Sequence, residues 1–403
     1  MFGSLSLRPP PYTLRPCLHK AGDQATRLIS RVEGYGTLPP SNQPMMDRFE
    51  SAQAVTVSVV VPVHNGGPHF RRCLESLQAS SPPPLEIIVV ADGDTDGSGD
   101  YAERLGLRVL RIPTAEGPAG ARNLGAAKAR GEILFFVDAD VTVRVETIGR
   151  IAELFRQEPD VAAVMGSYDD EPGDPGFLSQ YRNLLHHWVH QEGCEEASTF
   201  WGACGAIRRT VFEAVGGFDE TYRTPSIEDI EIGYRLKDAG HRIRLVKSLQ
   251  VTHWKRWTVS SIVLTDVFRR ALPWTHLILS RRAVLNDLNL QMAGRISTLL
   301  AGTLVAGLAV AWWWRWAIVV VGLATAGLLA LNQRLYRLFV RKRGWLFAFR
   351  AIPLHWAYFL YSGLAFGIGL LRFLTKSWTR PAFRDSDLKG RLSVKSVPSE
   401  KAK

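Results

Sequence analysis

Apolar and polar positions alternate in blocks along the first two thirds of the chain. The segment VTVSVVVPV (55–63) is a run of mostly β-branched residues, which is typical of a strand buried on both faces. Apolar residues at helical spacing follow it in HFRRCLESLQAS (69–80). The alternation continues with strands at 85–92, 107–113 and 133–138 and a helix through 119–131. Strands that alternate with helices predict an α/β fold with a mostly parallel sheet, of Rossmann-like type.

Three long apolar runs follow this region, at residues 296–314, 316–331 and 351–371. Each approaches the roughly 17–25 residues that a membrane-spanning helix needs, so two or three spans are expected. Arg315 stands between the first two runs inside WWWRW, a composition typical of a membrane interface. Paired arginines among apolar residues in 259–285 predict a helix lying on the membrane surface, with an ordinary amphipathic helix as the alternative.

These patterns divide the chain into five parts. Residues 1–50 are rich in Pro, Gly, Ser and Arg without periodicity, and we interpret them as a disordered segment. The other predicted parts are an α/β domain at 51–255, interfacial helices at 256–292, a transmembrane region at 293–374 and a basic tail at 375–403.

Charge is distributed unevenly between the parts. Residues 51–250 carry 20 Lys/Arg and 29 Asp/Glu, whereas residues 251–403 carry 23 and 5. A domain with an excess of negative charge is poorly suited to bind the phosphate backbone of a nucleic acid, so we expect no nucleic-acid partner. Six Lys/Arg between the second and third apolar runs favour a cytoplasmic loop, which places the α/β domain on the cytoplasmic side of the inner membrane. Nine Lys/Arg and three Asp/Glu after residue 371 conflict with a third span.

Two carboxylates, Asp138 and Asp140, follow the buried strand in ILFFVDADV (133–141). Residues at i and i+2 of a strand point the same way, so both side chains can reach one ion. A divalent cation such as Mg²⁺ or Mn²⁺ needs oxygen ligands of this kind and would neutralise charge on a departing diphosphate. The alternative is a pair of solvated carboxylates in a loop.

Five segments in order resemble family 2 glycosyltransferases of the GT-A fold, over residues 56 to about 255. They are VSVVVPVHN, EIIVVADGDTDGS, GPAGARNLGAAKARGEILFFVDADV, FWGACGAIRRTVFEAVGGFDE and IEDIEIGYRLKDAG. The resemblance implies that a sugar is transferred from a nucleotide-diphosphate donor with inversion at the anomeric carbon, usually with Mg²⁺ or Mn²⁺.

The resemblance also assigns roles to single residues. Asp229 would be the catalytic base, and Glu228 would orient the site or contact the acceptor. His253 would join Asp138 and Asp140 as a metal ligand. The implied nucleotide-sugar site consists of Pro62, His64, Asn65, Asp92, Arg122, Asn123 and Asp138, and the implied acceptor site includes Trp201, Gly202 and Gly205. The stretch ADGDTD departs from the family's usual DDGSTD at Ala91 and Asp94.

Several of these residues have structural alternatives. Arg122 and Asn123 could cap a turn at a helix end, Trp201 could be plain core, and His253 could be a structural histidine. The spacing of Ser226 and Asp229 resembles a capping box at a helix start.

Polymerising membrane relatives carry a Q-x-x-R-W motif, which HWKRW (253–257) and DVFRR (266–270) approach without matching. Arg269 and Arg270 would still be suited to a donor diphosphate or a lipid phosphate, and we assign them to the acceptor site. We therefore expect a membrane-anchored, metal-dependent, inverting glycosyltransferase with a lipid-linked acceptor. A processive polysaccharide synthase and a non-catalytic membrane scaffold are the alternatives.

Overall fold

The computed structural model describes residues 55–281 and 288–375, so the segment 1–50 and nearly all of the tail lie outside the described residues. Within them, nine strands form one sheet. They are β1 Val57–Val63, β2 Glu86–Asp92, β3 Arg108–Ile112, β4 Ile133–Val137, β5 Val141–Thr142, β6 Val161–Tyr168, β7 Glu196–Ala197, β8 Cys204–Arg208 and β9 Arg242–His253.

Helices α1 to α7 belong to the same α/β domain as the strands. Their bounds are α1 Gly67–Gln78, α2 Ser98–Arg104, α3 Pro118–Lys128, α4 Thr147–Gln157, α5 Phe177–Glu192, α6 Arg209–Ala214 and α7 Glu228–Asp238. Helix α3 begins with Pro118, whose missing amide hydrogen costs nothing in the first helical turn.

The strand order is β3-β2-β1-β4-β8-β6-β9-β5, with β7 paired to β9. Strands β3, β2, β1 and β4 are parallel neighbours, as the alternating pattern predicted. Strand β8 runs antiparallel between β4 and β6, and β9 is parallel to β6 but antiparallel to β5 and β7. The predicted α/β fold is confirmed, with a parallel half joined to a mixed half.

The sheet order fixes where the polar strand ends meet. Strand β1 lies between β2 and β4, so the chain order reverses at β1, and ligands of open α/β sheets bind outside the carboxyl ends at such a point. The residues that follow these three strands are His64 with Asn65, Asp92 at the end of β2, and Asp138. The fold therefore gathers the predicted nucleotide-sugar residues at one edge.

A buried aromatic cluster lies directly behind this edge. Phe136 in β4 contacts the rings of Phe200, Phe212 and Phe218, with centroid distances of 6.4, 5.4 and 5.1 Å. Phe136 is fully buried and precedes Asp138 by two residues. Packing at this ring therefore sets the position of the strand end that presents the two carboxylates.

A helical segment connects the domain to the C-terminal helices. We call residues 258–281 the interface segment; it contains α8 Val259–Val263, a π-helical turn Leu264–Ala271 and α9 Leu272–Arg281. Thr258 caps α8 through a reciprocal capping box with Ser261.

Three helices beyond the interface segment are long and apolar enough to cross a membrane, among the residues that the structure describes. They are α10 Met292–Val310, α11 Ala317–Arg343 and α12 Trp345–Leu374, which correspond to the three predicted apolar runs. The turn between α10 and α11 holds four exposed tryptophans, Trp312, Trp313, Trp314 and Trp316. Helix α12 continues through Pro353.

We predict that Phe136→Ala destabilises the domain by about 3–5 kcal/mol, because it removes a fully buried ring whose neighbours cannot close the cavity. Urea unfolding of the protein in detergent, followed by circular dichroism, measures this effect. Leu85→Ala, at a position with 46% exposure, is the control and should leave the transition almost unchanged. An unchanged midpoint in Phe136→Ala would contradict the assigned packing.

Candidate active site

One buried arginine organises the acidic groups at the sheet edge. Arg122, in the first turns of α3, donates from Nη2 to Asp138 Oδ1 at 2.7 Å and from Nη1 to Glu228 Oε1 at 2.9 Å. Its side chain is 5% exposed, and its guanidinium lies 5.4 Å from the centre of the Phe218 ring. The structure therefore joins the end of β4 to the start of α7 through a single cation.

The two carboxylates of the DAD sequence differ in their partners. Burial, opposed by Arg122 and reinforced by Asp140, raises the pKa of Asp138. Asp140 Oδ2 lies 3.4 Å from His253 Nε2. Although burial acts against it, His253 together with Lys255 lowers the pKa of Asp140 to about 2. Asp140 is therefore ionised at neutral pH, and a third of each aspartate side chain is accessible to solvent.

This donor set suits a hard cation that shares its ligands with a substrate. Among the described residues, no group of three or more His, Cys, Asp or Glu side chains is placed to enclose a metal ion. Magnesium in nucleotide sites usually takes one or two carboxylates and fills its remaining positions with phosphate oxygens and water. Asp140 and His253 lie side by side, and their role as metal ligands together with Asp138 stays a prediction.

Asp229 lies at the start of α7, next to Glu228. Its Oδ2 accepts a hydrogen bond from the Gly202 amide at 3.2 Å, and its Oδ1 accepts one from Ile230 N at 2.8 Å. Burial and the charge of Glu228 raise the pKa of Asp229 to about 6, against the opposing charge of Arg122. A carboxylate with such a pKa is mostly ionised at neutral pH and is also more basic than an ordinary aspartate, so it is suited to take a proton from a substrate.

The capping-box alternative for Ser226 and Asp229 does not occur. Ser226 Oγ donates to the carbonyl oxygen of Arg269 at 2.6 Å, and the residue that precedes α7, Ile227, makes no side-chain cap. Glu228 is buried and accepts from Arg122 and from the Ser226 amide at 2.9 Å. Glu228 therefore orients Arg122, and a direct contact with the acceptor stays a prediction.

An aromatic and imidazole cluster forms one wall beside Asp140. Tyr168, at the end of β6, stacks on His253 with centroids 4.4 Å apart, and Trp201 meets Tyr168 edge-on at 4.7 Å. His186 and His190 of α5 complete the cluster, at 5.1 and 5.0 Å from Trp201. Burial lowers the pKa of both histidines, that of His190 to about 4, so both are neutral.

The sequence interpretation did not include Tyr168, His186 or His190 in the site. The only signal for the histidines was the sequence HHWVH (186–190), which has two imidazoles at i and i+4 on one helix face. Tyr168 is at the end of an apolar strand, as Asp92 and Asp138 are, but it is uncharged and the sequence offered no reason to select it. Trp201, at 8% exposure, is mostly packed against this cluster, which agrees with its structural alternative.

The residues after β1 hold each other in place. Asn65 has a positive φ of 53°, and its Oδ1 accepts from the amides of Thr95 at 2.8 Å and Asp96 at 3.2 Å. His64 Nδ1 lies 2.7 Å from the carbonyl oxygen of Asp92. Pro62 pairs with Val90 inside the sheet and is half-buried. His64 and Asn65 are exposed at the sheet edge, and their contact with the nucleotide stays a prediction.

Asp92, which the resemblance assigned to the nucleotide-sugar site, is enclosed by the protein. It is buried, and its two oxygens accept from the amides of Glu116 and Gly117 at 2.7 and 2.8 Å. Gly117 has a φ of 93°, and a β-carbon there would come within 2.3 Å of the Arg223 carbonyl oxygen. Asp92 thus fixes the loop that precedes α3. Its hydrogen bond to a nucleobase stays a prediction.

Asn123 and the two glycines also have partners within the protein. Asn123 donates to the Phe218 carbonyl oxygen at 2.8 Å and accepts from the Phe218 amide at 2.8 Å, so it anchors the loop after Gly217. A β-carbon on Gly205 would come within 2.3 Å of the Trp201 carbonyl oxygen, and one on Gly202 within 3.1 Å of the Arg122 guanidinium. These contacts explain the glycines by internal packing, and their role toward an acceptor stays a prediction.

Arg269 and Arg270 lie on the π-helical turn of the interface segment. The carbonyl of Arg269 accepts the Ser226 hydrogen bond, which ties this turn to the start of α7. Within residues 55–281 and 288–375 the Arg270 side chain has no carboxylate partner, yet its charge acts to lower the pKa of Asp229 and of Tyr168. Arg270 therefore acts electrostatically on the candidate base without being paired to any carboxylate in the described part of the chain.

We predict that Arg122→Met destabilises the protein by about 3–5 kcal/mol, because Glu228 would lose its cation while remaining buried and Asp138 would lose its hydrogen bond to the same guanidinium. Urea unfolding in detergent measures the change. The double variant Arg122→Met with Glu228→Gln should recover part of the loss, since one unpaired charge is then removed.

Arg111→Met is the matched control, because Arg111 pairs with Asp100 and Glu103 at the surface and should have a small effect. Equal destabilisation by Arg111→Met and Arg122→Met would show that the Arg122 network has no special energetic role.

Two family models match the α/β domain. The family model described as "Glycosyl transferase family 2" matches residues 58–216, and a second model, "N-terminal domain of galactosyltransferase", matches residues 185–257. A pre-mycofactocin glycosyltransferase of Mycobacterium tuberculosis is 28% identical over 264 residues, which are 62% of this chain and 52% of that protein. Glycosyltransferase GlyG of Streptococcus pneumoniae is 35% identical over 145 residues, covering 35% of this chain and 46% of the relative. The chain thus spans about half the length of these curated relatives.

Solved structures give weaker likenesses. The mannosyltransferase PcManGT of Pyrobaculum calidifontis, in complex with GDP-Man and Mn²⁺, has a TM-score of 0.47 at 21% identity and covers 76% of this chain and 86% of its own. The S. aureus protein TarS 1-349 has a TM-score of 0.45 at 18% identity, with coverages of 82% and 94%. The family model and the observed sheet together confirm the α/β fold expected of GT-A enzymes. Residues 58–216 of this chain therefore form a glycosyl transferase family 2 domain.

Proposed function

We propose that this protein transfers a sugar, with inversion, from a nucleotide-diphosphate sugar to a membrane-associated, lipid-linked acceptor. The observation that carries the proposal is the placement of Asp229. Its carboxyl has a pKa of about 6 and lies next to the Arg122 network, which also holds Asp138 at the end of β4. A base and a diphosphate-binding edge are thereby joined in one site.

In the proposed reaction, Asp229 takes the proton of an acceptor hydroxyl while that oxygen attacks the anomeric carbon. The bond from this carbon to the diphosphate oxygen breaks, and the nucleoside diphosphate leaves with the bonding electrons. General-base assistance of this kind contributes roughly 10²–10⁴-fold to a rate. The Gly202 amide, 3.2 Å from Asp229 Oδ2, orients the carboxylate for this transfer.

The residues Asp138, Asp140 and His253 would hold Mg²⁺ or Mn²⁺, which when bound would neutralise charge on the departing diphosphate. Asp140 is suited to such a role because its low pKa keeps it anionic across the physiological range. Arg122 keeps Asp138 in place through its 2.7 Å hydrogen bond.

The interface segment supports an acceptor that lies in or on the membrane. Arg269 and Arg270 lie on its π-helical turn. Ser226, just before α7, donates a hydrogen bond to the Arg269 carbonyl oxygen and so connects this turn to α7. A guanidinium without a carboxylate partner is suited to a phosphate group, whether from the donor or from a lipid. The cluster of Arg341, Lys342 and Arg343 at the end of α11 favours a cytoplasmic location for that end, and Lys342 pairs with Asp170 of the domain at 2.5 Å. We therefore place the domain at the cytoplasmic face.

We predict that Asp229→Asn and Asp140→Asn each reduce sugar transfer by at least about 10²-fold, because one removes the base and the other a ligand of the cation. The protein in lipid would be tested against a panel of nucleotide sugars with Mn²⁺, and nucleoside diphosphate release would be measured. Asp100→Asn makes the same chemical change at a surface ion pair and should retain the parent rate.

Near-full activity of Asp229→Asn would show that another group is the base. If the parent protein neither turns over nor binds any nucleotide in the presence of metal, the non-catalytic scaffold is favoured instead. A product that carries many added sugars would favour the processive synthase.

We further predict that the rate of transfer falls about tenfold per pH unit below about pH 6, because Asp229 must be deprotonated to act as a base. Above that pH Asp229 is already deprotonated, so its titration should cause no further increase in rate. In Glu228→Gln the neighbouring negative charge is removed, so the acidic limb should move to lower pH. A profile measured from pH 4.5 to 8.5 checks both statements, and an unmoved limb in Glu228→Gln would contradict the coupling.

A further inference from the structure

The hairpin of α10 and α11 has the geometry of two membrane spans. Asn332 Nδ2 donates to Ser297 Oγ at 3.0 Å near one end, and Gly307 packs against Val321 near the other. Helix α10 has 19 residues, which at about 1.5 Å per residue is close to the roughly 30 Å thickness of the hydrocarbon core. The exposed tryptophans of the 311–316 turn suit the far interface.

The last part of α11 lies beside the α/β domain. Arg334 pairs with Glu192 at 3.7 Å, and Lys342 pairs with Asp170 at 2.5 Å. Arg343 donates to Gln180 Oε1 at 2.6 Å. Helix α11 therefore returns to the side of the domain before residue 334, and α12 begins on that side.

The first half of α12 stays at this level. Phe347 contacts Phe177 of α5 with centroids 5.1 Å apart. Further along, the Tyr336 hydroxyl lies 3.2 Å from His355 Nδ1 and accepts a hydrogen bond from Trp356 at 3.1 Å. Because Tyr336 is only two residues beyond Arg334, His355 is still close to the part of α11 that lies beside the domain.

The second half of α12 follows the interface segment. The Tyr361 hydroxyl donates to Asp266 at 2.5 Å, and Asp266 also accepts from Arg182 of α5 at 2.5 Å. At the end of the helix, the ring of Phe373 lies 5.7 Å from that of His276 in α9.

The interface segment itself is attached to the domain. Trp274 donates to the Tyr234 hydroxyl of α7 at 2.9 Å, and Arg281 pairs with Asp238 and, at 3.7 Å, with Glu231. Arg281 is five residues beyond His276, or about 7.5 Å along the helix. A helix that starts beside α5 and ends beside α9 has not traversed about 30 Å of hydrocarbon between these points.

One face of α12 is buried along the whole helix, and the other is apolar and exposed. The buried residues are Ala348, Ala351, His355, Phe359, Ala365 and Gly369; exposed apolar residues include Leu346, Phe349, Leu364, Ile368 and Leu371. Helices that lie in a membrane interface keep one apolar face toward the acyl chains in this way.

We infer that the chain crosses the bilayer twice, through α10 and α11, and that α12 lies along the membrane surface with its exposed apolar face in the lipid. The end of α12 is then on the same side as the α/β domain. This arrangement removes the conflict over the basic residues after position 371, nine Lys/Arg against three Asp/Glu, because the positive-inside bias now agrees for both basic segments. The inference concerns topology and does not depend on the proposed chemistry.

The test compares single cysteines in full-length protein, Glu153→Cys on the domain, Trp313→Cys in the 311–316 turn and Leu374→Cys at the end of α12. Each is treated with a membrane-impermeant maleimide in inside-out and right-side-out membrane vesicles, and labelling above that of the parent protein is measured. The side chains of Glu153 and Trp313 and residue Leu374 are exposed, so each can react where the reagent has access.

Residues 374 and 153 are expected to label in the same vesicle orientation and to lose labelling in the other, whereas residue 313 shows the reverse. Labelling of residue 374 together with residue 313 would overturn the inference. A protease-sensitive tag after Lys403 gives a second readout if lipid shields position 374. Cleavage of the tag in the orientation that exposes residue 153 supports two crossings, and cleavage only in the opposite orientation overturns them.

Discussion

The ion pairs of Arg122 are the interaction on which the candidate site depends. Enclosing a guanidinium and two carboxylates costs several kcal/mol per ion unless the charges are paired and hydrogen-bonded. Here the cost is offset because Arg122 meets both Asp138 and Glu228 at hydrogen-bonding distance. Among the described residues, the other two acids, Asp140 and Asp229, form no ion pair with an arginine. Glu228 is fully committed to the network, whereas Asp138 is paired with Arg122 and still has a third of its side chain accessible to solvent.

Asp140 and Asp229 also differ in the pH at which they are protonated. Asp140 is next to His253 and Lys255, and its pKa falls to about 2. Burial and the neighbouring charge of Glu228 raise the pKa of Asp229 to about 6, against the opposing charges of Arg122 and Arg270. Carboxylates whose environments push their pKa values apart are typical of sites that need a permanent anion and a proton acceptor together. Helix α7 supplies both Glu228 and Asp229. A shift of this helix would therefore affect both the ion pair with Arg122 and the position of the candidate base.

The sequence predicted the four strands of the parallel half and the helices α1 and α3, because apolar runs and helical spacing reveal which of their residues are buried. Strands β1, β2, β3 and β4 were placed within one or two residues. The antiparallel strand β8 could not be oriented, since CGAIR has no feature that reveals its direction.

The partners of the polar residues were less predictable. Asp92 and Asn123 were predicted to bind the nucleotide sugar, and the sequence did not reveal that they also bond to groups far away in sequence, Asp92 to two backbone amides and Asn123 to the Phe218 backbone and the Glu220 carboxylate. Such pairing depends on which loops the fold brings together. Asp266 was passed over for the same reason, because its partners Arg182 and Tyr361 lie 84 and 95 residues away.

The buried contacts of Asp266 show how the membrane-associated part and the site are connected. Asp266 joins α5 of the domain to α12, and it lies on the same π-helical turn as Arg269 and Arg270. The carbonyl of Arg269 in turn accepts from Ser226, three residues before Asp229. Two hydrogen bonds and the backbone of the π-helical turn between them therefore connect α12 to the residues just before α7. If α12 lies in the membrane surface, the position of the candidate base relative to the lipid is set by this path, and an acceptor anchored in the same surface would meet Asp229 at a fixed height.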